Sequence, residues 1–159
     1  MKILGVDPGS TRVGYGLIKK DGSQFCYVES GLLKITSKDK SQRLLELEKS
    51  FRKLLIKTRP NIVALEKLYF VKNLKTGLDV AQSRGILALL VAQHKISLLE
   101  YTPSEVKLNV TGYGAADKKA VAKMTAKILK IEKINGPDDV SDALAIALTA
   151  ASSYKFQIF

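Results

Sequence analysis

KILGVDPGSTRVGYGLIKKDG, residues 2–22, is the stretch that decides how this chain begins to fold. Ile3, Leu4 and Val6 form a short apolar run of the buried-strand type, and Asp7 ends it with a carboxylate. A charged acid at the end of a core strand costs several kcal/mol unless it is paired or binds a metal. Asp7-Pro8-Gly9-Ser10 also has the composition of a simple bend, so a turn role and a chemical role are both open for Asp7.

Outward from that stretch, Arg12 to Ile35 reads as two further strands joined through Lys20-Asp21-Gly22, a turn signal of the Asp-Gly type. Three antiparallel strands therefore open the chain. From Ser41 the spacing becomes helical, with Leu44, Leu47, Phe51, Leu54 and Leu55 on one stripe and Pro60 closing the segment. Asn61 to Glu66, NIVALE, is a second buried strand ending in an acid. A helix is expected from about Thr76 to His94, and Ile96 to Pro103 contains a fifth strand. Thr102, Pro103 and Glu105 carry the cap, first-turn proline and capping-box glutamate of a helix start. Asp117 is placed to cap a basic amphipathic helix with Val121, Met124, Ile128 and Ile131 on one side. A last helix, mostly small and apolar, is expected from Val140 to about Ser153.

Strand, strand, strand, helix, strand, helix, strand, helices is the order of an α/β protein. A strand that follows a helical crossover most readily lies parallel to an earlier one, giving a mixed five-stranded sheet flanked by helices. The 159 residues are enough for one domain that buries about two-thirds of its unfolded surface. In that sheet Asp7 and Glu66 stand at neighbouring C-terminal strand ends, where open α/β sheets tend to carry their sites.

Charge narrows the chemistry. Twenty-six Lys and Arg against 15 Asp and Glu leave a net charge of +11, which favours a polyanionic partner such as nucleic acid or an anionic membrane surface. Cys26 and His94 are the only residues of their types, which excludes an internal disulfide and a Cys/His zinc cluster. No apolar stretch reaches the roughly 18 residues of a membrane span, and the N-terminus lacks the order of a signal peptide, so a cytoplasmic protein is expected.

The last helix begins among three acids. Asp139 and Asp142 are three apart and Asp138 and Asp142 four apart, so either pair shares a helix face, and Asp138 or Asp139 could equally serve as the cap. With Asp7 and Glu66 they can enclose one pocket, and clustered carboxylates repel unless cations sit among them. Mg2+, which takes carboxylate oxygen and water, is the expected occupant, with Mn2+ able to substitute. Lys and Arg that draw in a phosphate backbone, beside carboxylates that hold metal, point to phosphodiester hydrolysis.

The stretches ILGVDPGSTRVGYGLI, ALEKLYFVKN, AQSRGILALL, YTPSEVKLNVTGYGAADKKAV and DDVSDALAIA, running from Ile3 to Ala151, resemble the RuvC family of Holliday-junction resolvases within the RNase H-like superfamily. The resemblance implies that Asp7, Glu66, Asp139 and Asp142 bind metal, two ions per site during catalysis, with Asp138 matching no role. It implies that Tyr69 stacks on a base near the junction centre, beside Phe70, and that Lys107 and Lys118 lie near the scissile phosphate, with Lys119 adding charge. It also implies a homodimer that nicks a four-way junction symmetrically and leaves 5′-phosphate and 3′-hydroxyl ends, with the branch-migration motor RuvAB as a partner. The Thr76–His94 helix, apolar at Leu78, Ile86, Leu89 and Leu90, is a candidate for the dimer surface or for core packing. Other readings are a YqgF-type RNA-processing nuclease, an actin-like or sugar-kinase phosphotransferase, which would need a second such domain, and a module that grips branched DNA without cutting it.

Overall fold

A computed structural model describes residues 1–9, 11–67 and 74–154, without the side chains of residues 74 and 75. The elements run β1 (Lys2–Pro8), β2 (Val13–Asp21), β3 (Gln24–Leu32), α1 (Lys40–Thr58), β4 (Ile62–Glu66), α2 (Leu74–Gln93), β5 (Ser97–Tyr101), α3 (Pro103–Thr111), α4 (Lys118–Ile128) and α5 (Asp138–Ser153). They build one sheet in the order β3-β2-β1-β4-β5. β1, β2 and β3 are antiparallel, while β4 and β5 run parallel to β1, as the order of the sequence signals leads one to expect.

Two apolar layers cover the sheet. Leu4, Val6, Val63 and Leu65 face α1 and α2 and pack on Leu47, Phe51, Leu54, Leu87 and Leu90. Ile3, Ile62 and Ala64 face the other way, toward α3, α4 and α5. Burying a ring such as that of Phe51, which is wholly enclosed, contributes about 1.5–3 kcal/mol. The helix starts are local chemistry. Asp39 accepts from the Gln42 backbone at 2.9 Å, Asp117 from that of Ala120 at 2.7 Å, and Thr102 and Glu105 form the expected capping box.

Several boundaries differ from the sequence reading. β1 continues through Asp7 to Pro8, because Asp7 pairs with Gly14 and Pro8 with Val13, so Asp7 belongs to the strand and not to a bend. The β2–β3 turn is centred on Gly22 and Ser23. Gly22 takes φ of +55°, a value a side chain disfavours. α2 begins two residues early. The last helix begins at Asp138, with Pro137 as its cap, so neither Asp138 nor Asp139 caps it and both lie in the first turn.

α5 lies across β1 and β2 at unusually short range. A Cβ added to Gly5 would stand 2.0 Å from the Ala143 carbonyl oxygen, and one added to Gly14 would stand 2.0 Å from that of Asp139. The absence of side chains at these two strand positions is what allows the helix backbone to rest on the sheet. Ala143 and Ala147 on α5 complete the contact.

Candidate active site

Three of the four acids singled out in the sequence line one cleft of about 350 Å³, together with Lys107, Lys118, Pro103 and Val106. Asp7 is brought there by β1, Glu66 by the neighbouring parallel strand β4 and Asp142 by the second turn of α5. The side chains alternate across the sheet, so Ile3 and Asp7 share the face that α5 covers.

The electrostatics of this cleft are strained. Burial, then the charges of Glu66, Asp142 and Asp139, push the Asp7 carboxyl from 3.8 up to about 7, against a smaller opposing pull from Lys118. Burial and Asp142 raise Glu66, with Lys118 and Lys107 opposing. Burial also raises Asp142, although the Lys118 hydrogen bond pulls the other way. The Lys118 ammonium donates to Asp142 Oδ2 at 3.1 Å and stands 3.8 Å from Asp138 Oδ2. Burial disfavours that ammonium, but the Asp142 bond and the charges of Asp142, Asp138 and Asp7 outweigh it and hold its pKa above the usual lysine value.

Asp139 stands apart from the other three. It does not line the cleft; its carboxylate faces the Arg12 guanidinium at 3.6 Å, while its charge still acts on Asp7 and Asp142. Asp138 is exposed, its carboxylate 3.8 Å from the Lys118 ammonium, and it does not line the cleft. Among the described residues, no three Asp, Glu, His or Cys side chains are drawn together closely enough to hold one ion. The chemistry of the donors nevertheless fits a hard divalent cation. They are oxygen ligands only, partly removed from water and mutually repelling, and Lys118 supplies only part of the positive charge that would relieve them.

Comparison with known proteins places this geometry in context. The family model described as crossover junction endodeoxyribonuclease RuvC matches residues 3–150. The chain belongs to the RuvC family. A crossover junction endodeoxyribonuclease RuvC from Caldicellulosiruptor saccharolyticus is 42% identical over 150 residues, covering 93% of this chain and 90% of the relative. One from Thermosipho melanesiensis is 41% identical over 158 residues, covering 98% and 100%. Among solved structures, Thermus thermophilus RuvC in complex with a Holliday junction substrate is 28% identical, with a TM-score of 0.88, covering 95% of this chain and 93% of that one. The mixed sheet expected of an RNase H-like fold is thus the one observed. RuvC-family nucleases are metal-dependent.

Of the basic residues expected near a substrate, Lys107 and Lys118 line the cleft, and Lys119 is exposed beside it at the start of α4. Tyr69 and Phe70 lie outside the described residues. Sequence reasoning passed over Arg12, the partner of Asp139, and the glycines at 5 and 14. The signal was available in the opening stretch, where Gly5 and Gly14 sit at strand positions that otherwise call for side chains.

Proposed function

We propose that this chain is a structure-selective endodeoxyribonuclease that resolves four-way DNA junctions by metal-dependent phosphodiester hydrolysis, leaving 5′-phosphate and 3′-hydroxyl ends. The observation that carries the reading is the meeting of Asp7, Glu66 and Asp142 in a single cleft walled by Lys107 and Lys118. Relatives sharing about 41–42% of its residues bear the name crossover junction endodeoxyribonuclease. Membership of the RuvC family also argues against the RNA-processing and phosphotransferase readings.

Asp7, Glu66 and Asp142 would hold the metal, with Asp139 joining them from the first turn of α5 once released from Arg12. Mg2+ is the metal the oxygen-only donor set suits, Mn2+ substituting, with two ions during catalysis. When bound, the metal supplies charge stabilisation to the scissile phosphate and lowers the pKa of water. The protein's own part is positional. The carboxylates, fixed on two strand ends and a helix, set the cleft's depth, and the Lys107 and Lys118 ammoniums bind the phosphate that enters it. Tyr69 is assigned to stacking on an unpaired base near the junction centre, and Lys119 to a neighbouring phosphate.

A homodimer is proposed through α2, whose outward side carries Leu78 and Leu89, 66% and 57% exposed, with Gly85 between them and open space above it. Such an apolar stripe on a solvent face fits a second copy of the chain. Two cleavage sites related by a two-fold axis would then face strands of like polarity. RuvAB is the partner expected for branch migration. A cytoplasmic location follows from a DNA substrate; no helix among the described residues is long and apolar enough to cross a membrane.

A cleavage assay on a mobile four-way junction against linear duplex, with and without Mg2+ or Mn2+, tests the reading. Metal-dependent, paired nicks in the junction and none in the duplex are expected. One observation favours a binding-only protein: the Lys118 ammonium already occupies an Asp142 oxygen. Tight junction binding with no nick under either metal would establish that alternative.

A further inference from the structure

We propose that the outward face of α4 is a track for the phosphate backbone of one duplex arm as it leaves the cleft. The proposal rests on the junction-cleaving reading and extends it beyond the cleft residues. Lys119, Lys123 and Lys127 recur at intervals of four, so they stand on one face of α4, about 6 Å apart along its axis. All three are exposed. Lys133, exposed on the loop that follows, lines a groove of about 510 Å³ together with Lys123, Lys127, Ala122 and Ala126.

Lys19, Lys40 and Lys57 each stand against a carboxylate, whereas among the described residues Lys119, Lys123, Lys127 and Lys133 form no ion pair, as is also true of Lys34, Lys49 and Lys53. Glu132 and Asp138 also border the groove, but Asp138 lies nearest Lys118, at 3.8 Å. The face therefore presents lysines at regular spacing that outnumber the carboxylates bordering the groove.

Charge and nearness to the cleft identify the occupant. Lys118, the first residue of α4, reaches into the cleft and bonds Asp142, and the lysine row starts at the next residue, about 100° further round the helix, so a backbone leaving Lys118 must turn across the start of α4 to meet it. A strand whose phosphate lies at Lys118 can continue along the row only as a backbone with charge at close, regular intervals, which duplex DNA provides. The contacts are to phosphate, so the track confers affinity and arm direction without sequence preference.

The test compares the full chain with Lys123→Gln/Lys127→Gln/Lys133→Gln and with a charge-matched control, Lys34→Gln/Lys49→Gln/Lys53→Gln, which lies on and beside α1 across the sheet. Binding is measured without divalent ion, over a salt series. Two junctions are used, one with long arms and one with arms trimmed to less than a helical turn. For the long-armed junction the α4 variant is expected to lose roughly tenfold in affinity, and its salt slope to fall by about 2–3, at about 0.9 per lost phosphate contact. It should bind the short-armed junction as the parent does, which also reports correct folding, and the control should match the parent on both. An α4 variant with the parent's salt slope and arm-length dependence, or a control that loses as much, overturns the proposal. Cleavage by the parent with Mg2+ is scored separately; its absence would count against the nuclease reading and leave the binding comparison decisive for the track.

Discussion

The α-carbon of Gly14 is packed against the backbone of Asp139 so closely that a methyl group there would stand 2.0 Å from the Asp139 carbonyl oxygen. The obstacle is helix backbone, which cannot rotate away as a side chain can. Gly14→Ala should therefore lift the first turn of α5 off β2, at a cost of roughly 1–3 kcal/mol in thermal or urea unfolding. Cleavage should fall further than stability does, since Asp139 and Asp142 move with that turn.

Asp7→Asn should separate catalysis from binding. Loss of one carboxylate from the cleft removes transition-state stabilisation worth several kcal/mol, a fall of at least about a hundredfold in single-turnover cleavage. Junction affinity should change little, because the lysines that meet phosphate are untouched. The metal-free variant should also be more stable than the parent at pH 8, as the amide carries no charge to bury. A variant that loses binding together with cleavage would assign Asp7 a structural role.

The stability of the metal-free protein should decline as pH rises from about 4 to about 7. The folded state holds the Asp7 proton up to about 7, whereas the unfolded chain releases it near 3.8. Between those values the native state binds more protons, so alkali favours unfolding. At about 1.4 kcal/mol per pH unit the loss approaches about 4 kcal/mol from this group as an upper limit. Glu66 and Asp142, also raised, act in the same direction. Added Mg2+ should raise the melting temperature more at pH 8 than at pH 5, and an equal shift at both would remove the carboxylates as its cause.

Lys118→Met tests whether the ammonium serves as the cleft's counter-charge. Without it, the repulsion among Asp7, Glu66 and Asp142 is unrelieved, and the metal-free variant should melt lower than the parent at pH 8. Mn2+ binding measured by calorimetry without DNA should become tighter, because the ion no longer competes with the lysine for Asp142. Weaker Mn2+ binding would instead mean that Lys118 helps assemble the site.

Asp138→Asn and Asp139→Asn should differ. The first removes a 3.8 Å ion pair between exposed groups, a contribution of at most about 1 kcal/mol, and should leave cleavage near the parent level. The second removes a carboxylate from the first turn of α5, where it already acts on Asp7, and should abolish cleavage. The reverse result would move the third metal ligand to Asp138.

Much of this molecule is written locally. The apolar run of Ile3 to Val6, the stripe through Leu47, Phe51 and Leu54, and the caps at Asp117 and Thr102 all act within a few residues of themselves. Short-range periodicity and hydrogen bonding are enough to read them. Boundaries were less legible. Asp7 reads equally as a bend residue, because Pro and Gly follow it, and as the acid that closes β1, and only cross-strand pairing with Gly14 decides for the strand.

The sequence by itself determined the element order, the mixed sheet that this order demands, the positive charge and the set of acids available for chemistry. Tertiary structure decided their use: that Asp7, Glu66 and Asp142 share a cleft, that Asp139 faces Arg12 instead, and that Lys118 bonds Asp142. These are contacts between residues far apart in the chain. They depend on strand register and on how closely α5 settles over Gly5 and Gly14, and no local periodicity specifies that distance.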